Sequence, residues 1–123
     1  MTLSINQEDH YNYTLLELDG EIDASTSGIF KNALNRVIRD GSQHIVLECS
    51  MLTGMSSAGL KVLLLNHRNT SDSQHIFMCN VASHIASLLE ISGMTRFVSL
   101  NMDVDDAETM LMESDYSAGQ IYT

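Results

Sequence analysis

The stretch Leu52-Thr-Gly-Met-Ser-Ser-Ala-Gly-Leu60 decides how this chain folds. It follows His44-Ile-Val-Leu-Glu48, a run of β-forming residues, and it opens Leu60-Lys-Val-Leu-Leu-Leu65, a strongly apolar run of helix formers. Ser56 and Ser57 therefore stand where a strand turns into a helix. A hydroxyl at such a turn can cap the helix, act as a nucleophile or accept a phosphate.

The remaining chain continues the alternation of strands and helices. Residues 2–6 and 11–18 predict two N-terminal strands, and Asp19-Gly20 predicts a turn after them. Further strands are predicted at Ile76–Met78 and Phe97–Leu100. Helices are predicted at Ser25–Arg39, 58–68, Ala82–Ile91 and Asp103–Met112. This order predicts an α/β fold: a mostly parallel mixed sheet with an N-terminal antiparallel hairpin, flanked by four helices.

Helical periodicity predicts which faces of the helices are buried. In the 58–68 helix, one face carries Leu60, Leu63, Leu64 and His67. In the last helix, Ala107, Met110 and Leu111 point inward. Residues 114–123 carry little apolar pattern, which predicts a flexible tail after a single domain at residues 1–113.

Composition excludes several function classes. Sixteen acidic against six basic residues give a formal charge of −10, which repels phosphate backbones and anionic membranes. No apolar run approaches the roughly 20 residues of a membrane span, and the N-terminus lacks a signal-peptide pattern. We therefore expect a cytoplasmic protein that neither binds nucleic acid nor enters a membrane.

The cysteines and histidines give no sign of a metal or cofactor site. Cys49 and Cys79 each end an apolar run, as buried free cysteines do, so no disulfide is expected. The five histidines are dispersed, without the spacing of a metal site, and are expected to be ordinary surface or helix-face residues.

Two segments follow strands toward helices: Asp19–Thr26 and Ser50–Ser57. Ligand sites in open α/β sheets lie beyond the carboxyl ends of the strands. If the two strands are neighbours, Asp23 and Ser57 come close together.

The residues alone leave three roles open for the serines. Ser56 or Ser57 can serve only as the N-cap of the following helix. Ser56 can be a hydrolase nucleophile, because Gly54-Met-Ser-Ser-Ala58 resembles G-x-S-x-G with its last glycine replaced, although no acid–histidine pair is evident. A phosphate on either serine would sit at a helix N-terminus, where the amides tolerate it, and would switch binding rather than folding.

Four stretches carry a resemblance to the anti-sigma factor antagonists of the STAS domain family. Leu18-Asp-Gly-Glu-Ile-Asp23 is similar to the family's L-x-G-E-[IL]-D, and His44–Leu52 to its hydrophobic strand and the segment after it. Met55-Ser-Ser-Ala-Gly-Leu60 is similar to M-D-S-[ST]-G-L, and Leu89-Glu-Ile-Ser-Gly-Met94 to L-x-x-[ST]-G-L. The four stretches fall in the family's order and spacing across about residues 3–113.

The resemblance implies a non-enzymatic, phosphorylation-controlled antagonist in a bacterial partner-switching pathway. The unphosphorylated form would bind a serine kinase or anti-sigma factor, phosphorylation would release it, and a phosphatase would restore binding. Aligning Gly59-Leu60 with the family's G-L implies Ser57 as the phosphoacceptor, beside the acid Asp23. The implied contact surface comprises Asp23, Met55, Ser56, Ser57, Gly59, Leu60 and Lys61.

The chain departs from the family's pattern at three positions between Gly54 and Ala58. Ser56 replaces the family's aspartate, Ala58 replaces its second Ser or Thr, and Gly54 replaces a bulky residue. The first change removes a negative charge and adds a rival hydroxyl, which leaves Ser56 open as the acceptor. A regulator of a non-sigma target and a scaffold that is never phosphorylated are further alternatives.

Overall fold

A computed structural model describes residues 2–41, 44–70 and 74–121, with side chains as far as Glu113. The strands are β1 (Leu3–Asp9), β2 (Tyr13–Ile22), β3 (His44–Met55), β4 (His75–Cys79) and β5 (Val98–Asn101). The helices are α1 (Ser27–Arg39), α2 (Ser57–His67), α3 (Ser83–Ile91) and α4 (Val104–Ile121), with a 3-10 turn at Met94–Arg96. Of the expected tail, residues 114–121 continue α4, and 122–123 lie outside the described residues.

The five strands form one mixed sheet in the order β1-β2-β3-β4-β5. β1 pairs antiparallel with β2, and the other neighbours pair in parallel. The predicted α/β architecture is therefore confirmed, with the hairpin at one edge of the sheet. Because parallel neighbours end on the same side, the segments that follow β2 and β3 emerge next to each other.

Two apolar clusters cover the two faces of the sheet. The larger cluster joins the sheet to α1, α2 and α3, with Phe30, Leu34, Leu63, Ile85 and Leu89 almost completely buried. The smaller cluster joins the other face to α4. Its members are Tyr13, Leu15, Val46, Phe77, Cys79, Ala107 and Leu111. Along β2, Leu16 and Leu18 enter the first cluster while Tyr13 and Leu15 enter the second, because successive side chains of a strand point to opposite faces of the sheet.

The predicted turn at Asp19-Gly20 is wrong. β2 continues through both residues to Ile22, and Gly20 takes a φ of +124°, a backbone conformation that L side chains rarely adopt. A side chain at Gly20 would also overlap the carbonyl oxygen of Thr2. The glycine thus allows the end of the hairpin to close tightly, and the real turn lies between β1 and β2.

Three predicted burial assignments are also wrong. Asn66, not His67, is buried in α2, and its side chain donates to the carbonyl oxygen of Val62 at 2.8 Å. Met110 of α4 is exposed, because the α4 face that packs on the sheet is narrow and is occupied by Ala107 and Leu111. His44 is buried at the start of β3, where its ring stacks on His75 with 5.3 Å between the ring centroids.

Both cysteines are free and buried, as expected. Burial, with the nearby Glu48 carboxylate second, raises the pKa of both thiols, that of Cys79 to about 12. Within the described part of the chain, no cluster of three or more metal-binding side chains occurs. Nor is any helix there both long and apolar enough to cross a membrane.

Candidate functional site at the start of α2

The site begins with a longer β3 than the sequence predicts. The predicted Ser50–Ser57 loop is wrong, because β3 runs to Met55 and only Ser56 separates it from α2. Met55 pairs with Ile22, and the amide of Ser56 donates to the Ile22 carbonyl oxygen at 2.9 Å. The first residue beyond β3 is therefore hydrogen-bonded to the last residue of β2, which positions Asp23 next to the entry to α2.

Two bulges bend β3 on its way to the site. Opposite β2, β3 holds one extra residue between Glu48 and Met51 and another between Leu52 and Gly54. The second extra residue is Thr53, whose hydroxyl donates to the Gly20 carbonyl oxygen at 3.1 Å. Sequence periodicity misses both bulges, because an inserted residue breaks the period of two that identifies a strand.

Ser56 is the N-cap of α2. Its backbone is extended, with φ −95° and ψ −179°, and its Oγ accepts a hydrogen bond from the Ala58 amide at 3.2 Å. Its carbonyl oxygen accepts the Gly59 amide at 3.0 Å, which closes the first turn. The Ser56 hydroxyl thus satisfies one of the amides that a helix start leaves unpaired.

Ser57 is the first residue of α2 and is exposed, whereas Ser56 is only partly so. The exposed side of the helix continues from Ser57 to Lys61, Leu65 and Arg68, at spacings of four, four and three residues. The structure thus separates the two candidate hydroxyls: Ser56 makes the cap bond, and Ser57 heads the solvent-facing stripe of α2.

Gly59 allows α2 to lie close to the end of the sheet. A Cβ at Gly59 would come within 2.7 Å of Met55 Cγ and 3.0 Å of Ile22 Cγ2. Gly59 is therefore buried, and Met55, expected to meet a partner, is partly buried and also packs against the core. Leu60 is likewise partly buried against the core, and Lys61 is exposed.

Asp23 organises the loop that leads from β2 into α1. Its Oδ1 accepts the Ser25 hydroxyl at 2.6 Å, the Ser25 amide at 2.8 Å and the Thr26 amide at 3.1 Å. The Ser25 hydroxyl above all, helped by these amides, holds the pKa of Asp23 below its usual value of 3.8. The buried Thr26 hydroxyl completes the loop by donating to the Glu21 carbonyl oxygen at 2.8 Å.

His84, in the first turn of α3, makes a contact with Thr53 that the sequence did not predict. Its Nε2 lies 3.0 Å from the carbonyl oxygen of the bulged Thr53, an acceptor that requires the proton on Nε2. The sequence held no signal for this pairing, because it depends on the bulge. His75 begins β4 and so lies at the opposite end of the sheet from Ser56.

Comparison with known proteins gives the family. The model of the STAS domain matches residues 4–107. The chain belongs to the STAS domain family. A curated STAS relative, the anti-sigma F factor antagonist of Paenibacillus polymyxa, is 29% identical over 102 residues, covering 81% of this chain and 87% of that protein.

Solved structures share the STAS fold. An anti-sigma factor antagonist from Mycobacterium paratuberculosis superposes with a TM-score of 0.84 at 22% identity, covering 90% of this chain and 95% of that one. SpoIIAA, an anti-sigma factor antagonist, superposes in its unphosphorylated form with a TM-score of 0.71 at 15% identity, covering 87% and 96% of the two chains. The phosphorylated form of SpoIIAA from Bacillus gives 0.66, at 15% identity and with 87% and 99% covered.

Proposed function

We propose that this STAS domain is an anti-sigma factor antagonist whose binding is switched by phosphorylation of Ser57. The observation that carries the proposal is the division between the two serines: Ser56 caps α2, while Ser57 is exposed at its first residue. The names of the relatives, one of them solved in phosphorylated and unphosphorylated forms, support the same function.

A phosphate on Ser57 suits this position in physical terms. It adds close to two negative charges at a helix N-terminus, where backbone amides and the helix dipole favour an anion. The domain stays folded in both states. The added charge instead alters the binding of a partner that docks over α2 and the Asp23 loop. Release of the partner follows from repulsion of its acidic groups and from the added bulk.

The proposed partners are a serine kinase that also acts as an anti-sigma factor, and a phosphatase that restores binding. The proposed contact surface combines the Asp23 loop with the first turns of α2, which carry Ser57, Leu60 and Lys61. Met55, Ser56 and Gly59 support this surface through the packing and cap bonds described above. The proposed location is the cytoplasm, where such a kinase and ATP are available.

Affinity capture from the chain's own cells tests the proposal. Ser57→Ala should recover a protein of the serine kinase or anti-sigma class, identified by mass spectrometry, and Ser57→Asp should recover far less of it. Ser87→Asp adds the same charge to an exposed serine of α3, outside the proposed contact surface, and is the matched control that should recover as much as the unmodified chain. Equal capture by Ser57→Ala and Ser57→Asp would instead indicate a scaffold without a switch, and capture of another protein class would indicate a non-sigma target.

The hydrolase alternative has less support. The Ser56 Oγ accepts the Ala58 amide, and His84 is bonded to Thr53, so no described histidine is hydrogen-bonded to Ser56. Turnover of an ester substrate that disappears in Ser56→Ala would establish this alternative against the binding function.

A further inference from the structure

The cationic side chains of this acidic protein are gathered in two segments. Residues 24–39 and 49–71 contain no aspartate or glutamate, although the chain has sixteen acidic residues. The same two segments hold five of its six cationic residues, namely Lys31, Arg36, Arg39, Lys61 and Arg68. The acidic and the cationic residues are therefore largely separated along the sequence.

The fold joins these two segments into one face. α1 and α2 pack against each other on the same side of the sheet. All five cations on them are exposed. The cations of a molecule whose formal charge is −10 are thus concentrated on one side of the sheet, on two helices that carry no aspartate or glutamate.

A groove opens in this face near the C-terminal ends of α1 and α2. The volume of the groove is about 680 Å³. Its lining residues are Asn32, Asn35, Arg36, Ile38, Arg39 and Asn69. Arginine and asparagine side chains present N–H donors, and guanidinium groups bind carboxylates in a two-pronged geometry. The chemistry of the lining therefore fits carboxylates.

The groove is separate from the proposed phosphorylation site. α2 begins at Ser57, and Asn69 follows its end, so the length of the helix, about 16 Å, lies between them. Arg36 and Arg39 also lie in the last turn of α1, where cations interact favourably with the helix dipole. That local role does not explain the three asparagines of the lining or the absence of acids from both segments.

We infer that this groove binds a carboxylate-rich segment of a protein partner, independently of Ser57. Charge complementarity selects the occupant, since the groove is the concave part of a face without acidic residues in α1 or α2. A long nucleic acid would extend beyond this face and meet the acidic remainder of the surface, whereas a short acidic segment fits within it.

Titration of the full chain with a short peptide rich in Glu and Asp, at low and at high salt, tests this inference. Two-dimensional ¹H–¹⁵N spectra should show the side-chain amides of Asn32, Asn35 and Asn69 shifting. The double variant Arg36→Gln/Arg39→Gln should bind the peptide about two- to thirtyfold more weakly, the range expected for the loss of two exposed ion pairs. Asn35→Asp keeps the shape of its side chain but adds a carboxylate to the groove, and it should also weaken binding.

The matched controls lie outside the groove. Arg96→Gln removes a cation from the 3-10 turn and Ser87→Asp adds a carboxylate to an exposed position of α3, so both should bind the peptide as the unmodified chain does. The inference is overturned if the peptide does not bind at low salt, or if Arg36→Gln/Arg39→Gln binds it equally well. Tighter binding of a single-stranded oligonucleotide than of the peptide would also overturn it. Ser57→Asp should leave peptide binding unchanged, which separates this result from the fate of the proposed switch.

Discussion

The amide nitrogen of Ser56 donates a 2.9 Å hydrogen bond to the carbonyl oxygen of Ile22. This bond extends the pairing of β2 and β3 by one residue beyond Met55. Asp23 follows Ile22 and Ser57 follows Ser56, so the acid and the serine project from adjoining pieces of backbone. The pairing of β2 and β3 therefore sets the spacing between Asp23 and Ser57.

The two serines should differ in their contribution to stability. Ser56→Ala removes the cap bond to the Ala58 amide and should lower the free energy of unfolding by about 1 kcal/mol. Ser57→Ala removes an exposed hydroxyl at the first helical position and should change it by less than about 0.5 kcal/mol. Urea unfolding of both variants measures the difference. Equal losses would contradict the assignment of Ser56 as the cap.

Close packing at Gly59 should make this position intolerant of a methyl group. A Cβ there would meet Met55 Cγ at 2.7 Å and the buried Ile22 at 3.0 Å, so Gly59→Ala should cost about 1–3 kcal/mol of unfolding free energy. Gly28→Ala in α1 is the control, because beyond its chain neighbours and the backbone of its own helix no heavy atom lies within 4 Å of its Cβ position. That variant should be neutral or stabilising by up to about 1 kcal/mol. If the two variants unfold alike, α2 does not lie as close to Met55 as described.

The Asp23 loop should make stability depend on acid pH. The pKa of Asp23 is depressed in the folded state, so its contribution is present above its ordinary pKa of 3.8 and is lost as the pH falls through the lower folded value. Ser25→Ala removes the hydroxyl that contributes most to this depression, and should move the pKa of Asp23 back toward 3.8. Carboxyl-carbon NMR titration of the unmodified chain and of Ser25→Ala measures both values. An unchanged pKa in Ser25→Ala would show that the hydroxyl does not stabilise the carboxylate.

Much of the fold could be predicted from local pattern. The alternation in β2, the buried stripe of α1 at Phe30, Leu34 and Val37, and the left-handed Gly41 at the end of α1 all follow from residue periodicity and turn chemistry. The order of strands and helices then sufficed for a parallel sheet with a hairpin at its edge.

The errors concentrate where the backbone leaves regular geometry or where tertiary packing decides burial. The sequence predicts a turn at Gly20 because the pair Asp-Gly favours turns. In the structure Gly20 lies within β2, where it has a positive φ and packs closely against Thr2. The sequence predicts a loop at Thr53 and the last part of β3 because two bulges interrupt the alternation of inward and outward side chains. Asn66 is buried by tertiary packing, and its side-chain Nδ2 donates to the Val62 carbonyl oxygen in the preceding turn of α2; hydrophobic periodicity predicts neither.

The location of the candidate site could be predicted from the sequence. Which of the two serines caps α2 and which is exposed could not. The strand-to-helix turn located Ser56 and Ser57, and the parallel neighbours β2 and β3 brought the Asp23 loop beside them. Which hydroxyl makes the cap bond depends on the residue at which α2 begins, and helix boundaries are the least certain feature of a sequence-based prediction. The structure therefore adds the distinction on which the proposed function depends.

The assignment of Ser57 as the phosphoacceptor is tested by mapping phosphate on the chain isolated from its own cells, with phosphatases inhibited. Fragmentation mass spectrometry distinguishes Ser56 from Ser57, and the same measurement on Ser56→Ala and Ser57→Ala provides the controls. We expect phosphate on Ser57, retained in Ser56→Ala and absent from Ser57→Ala. Phosphate on Ser56, or on neither serine under any growth condition, would contradict it.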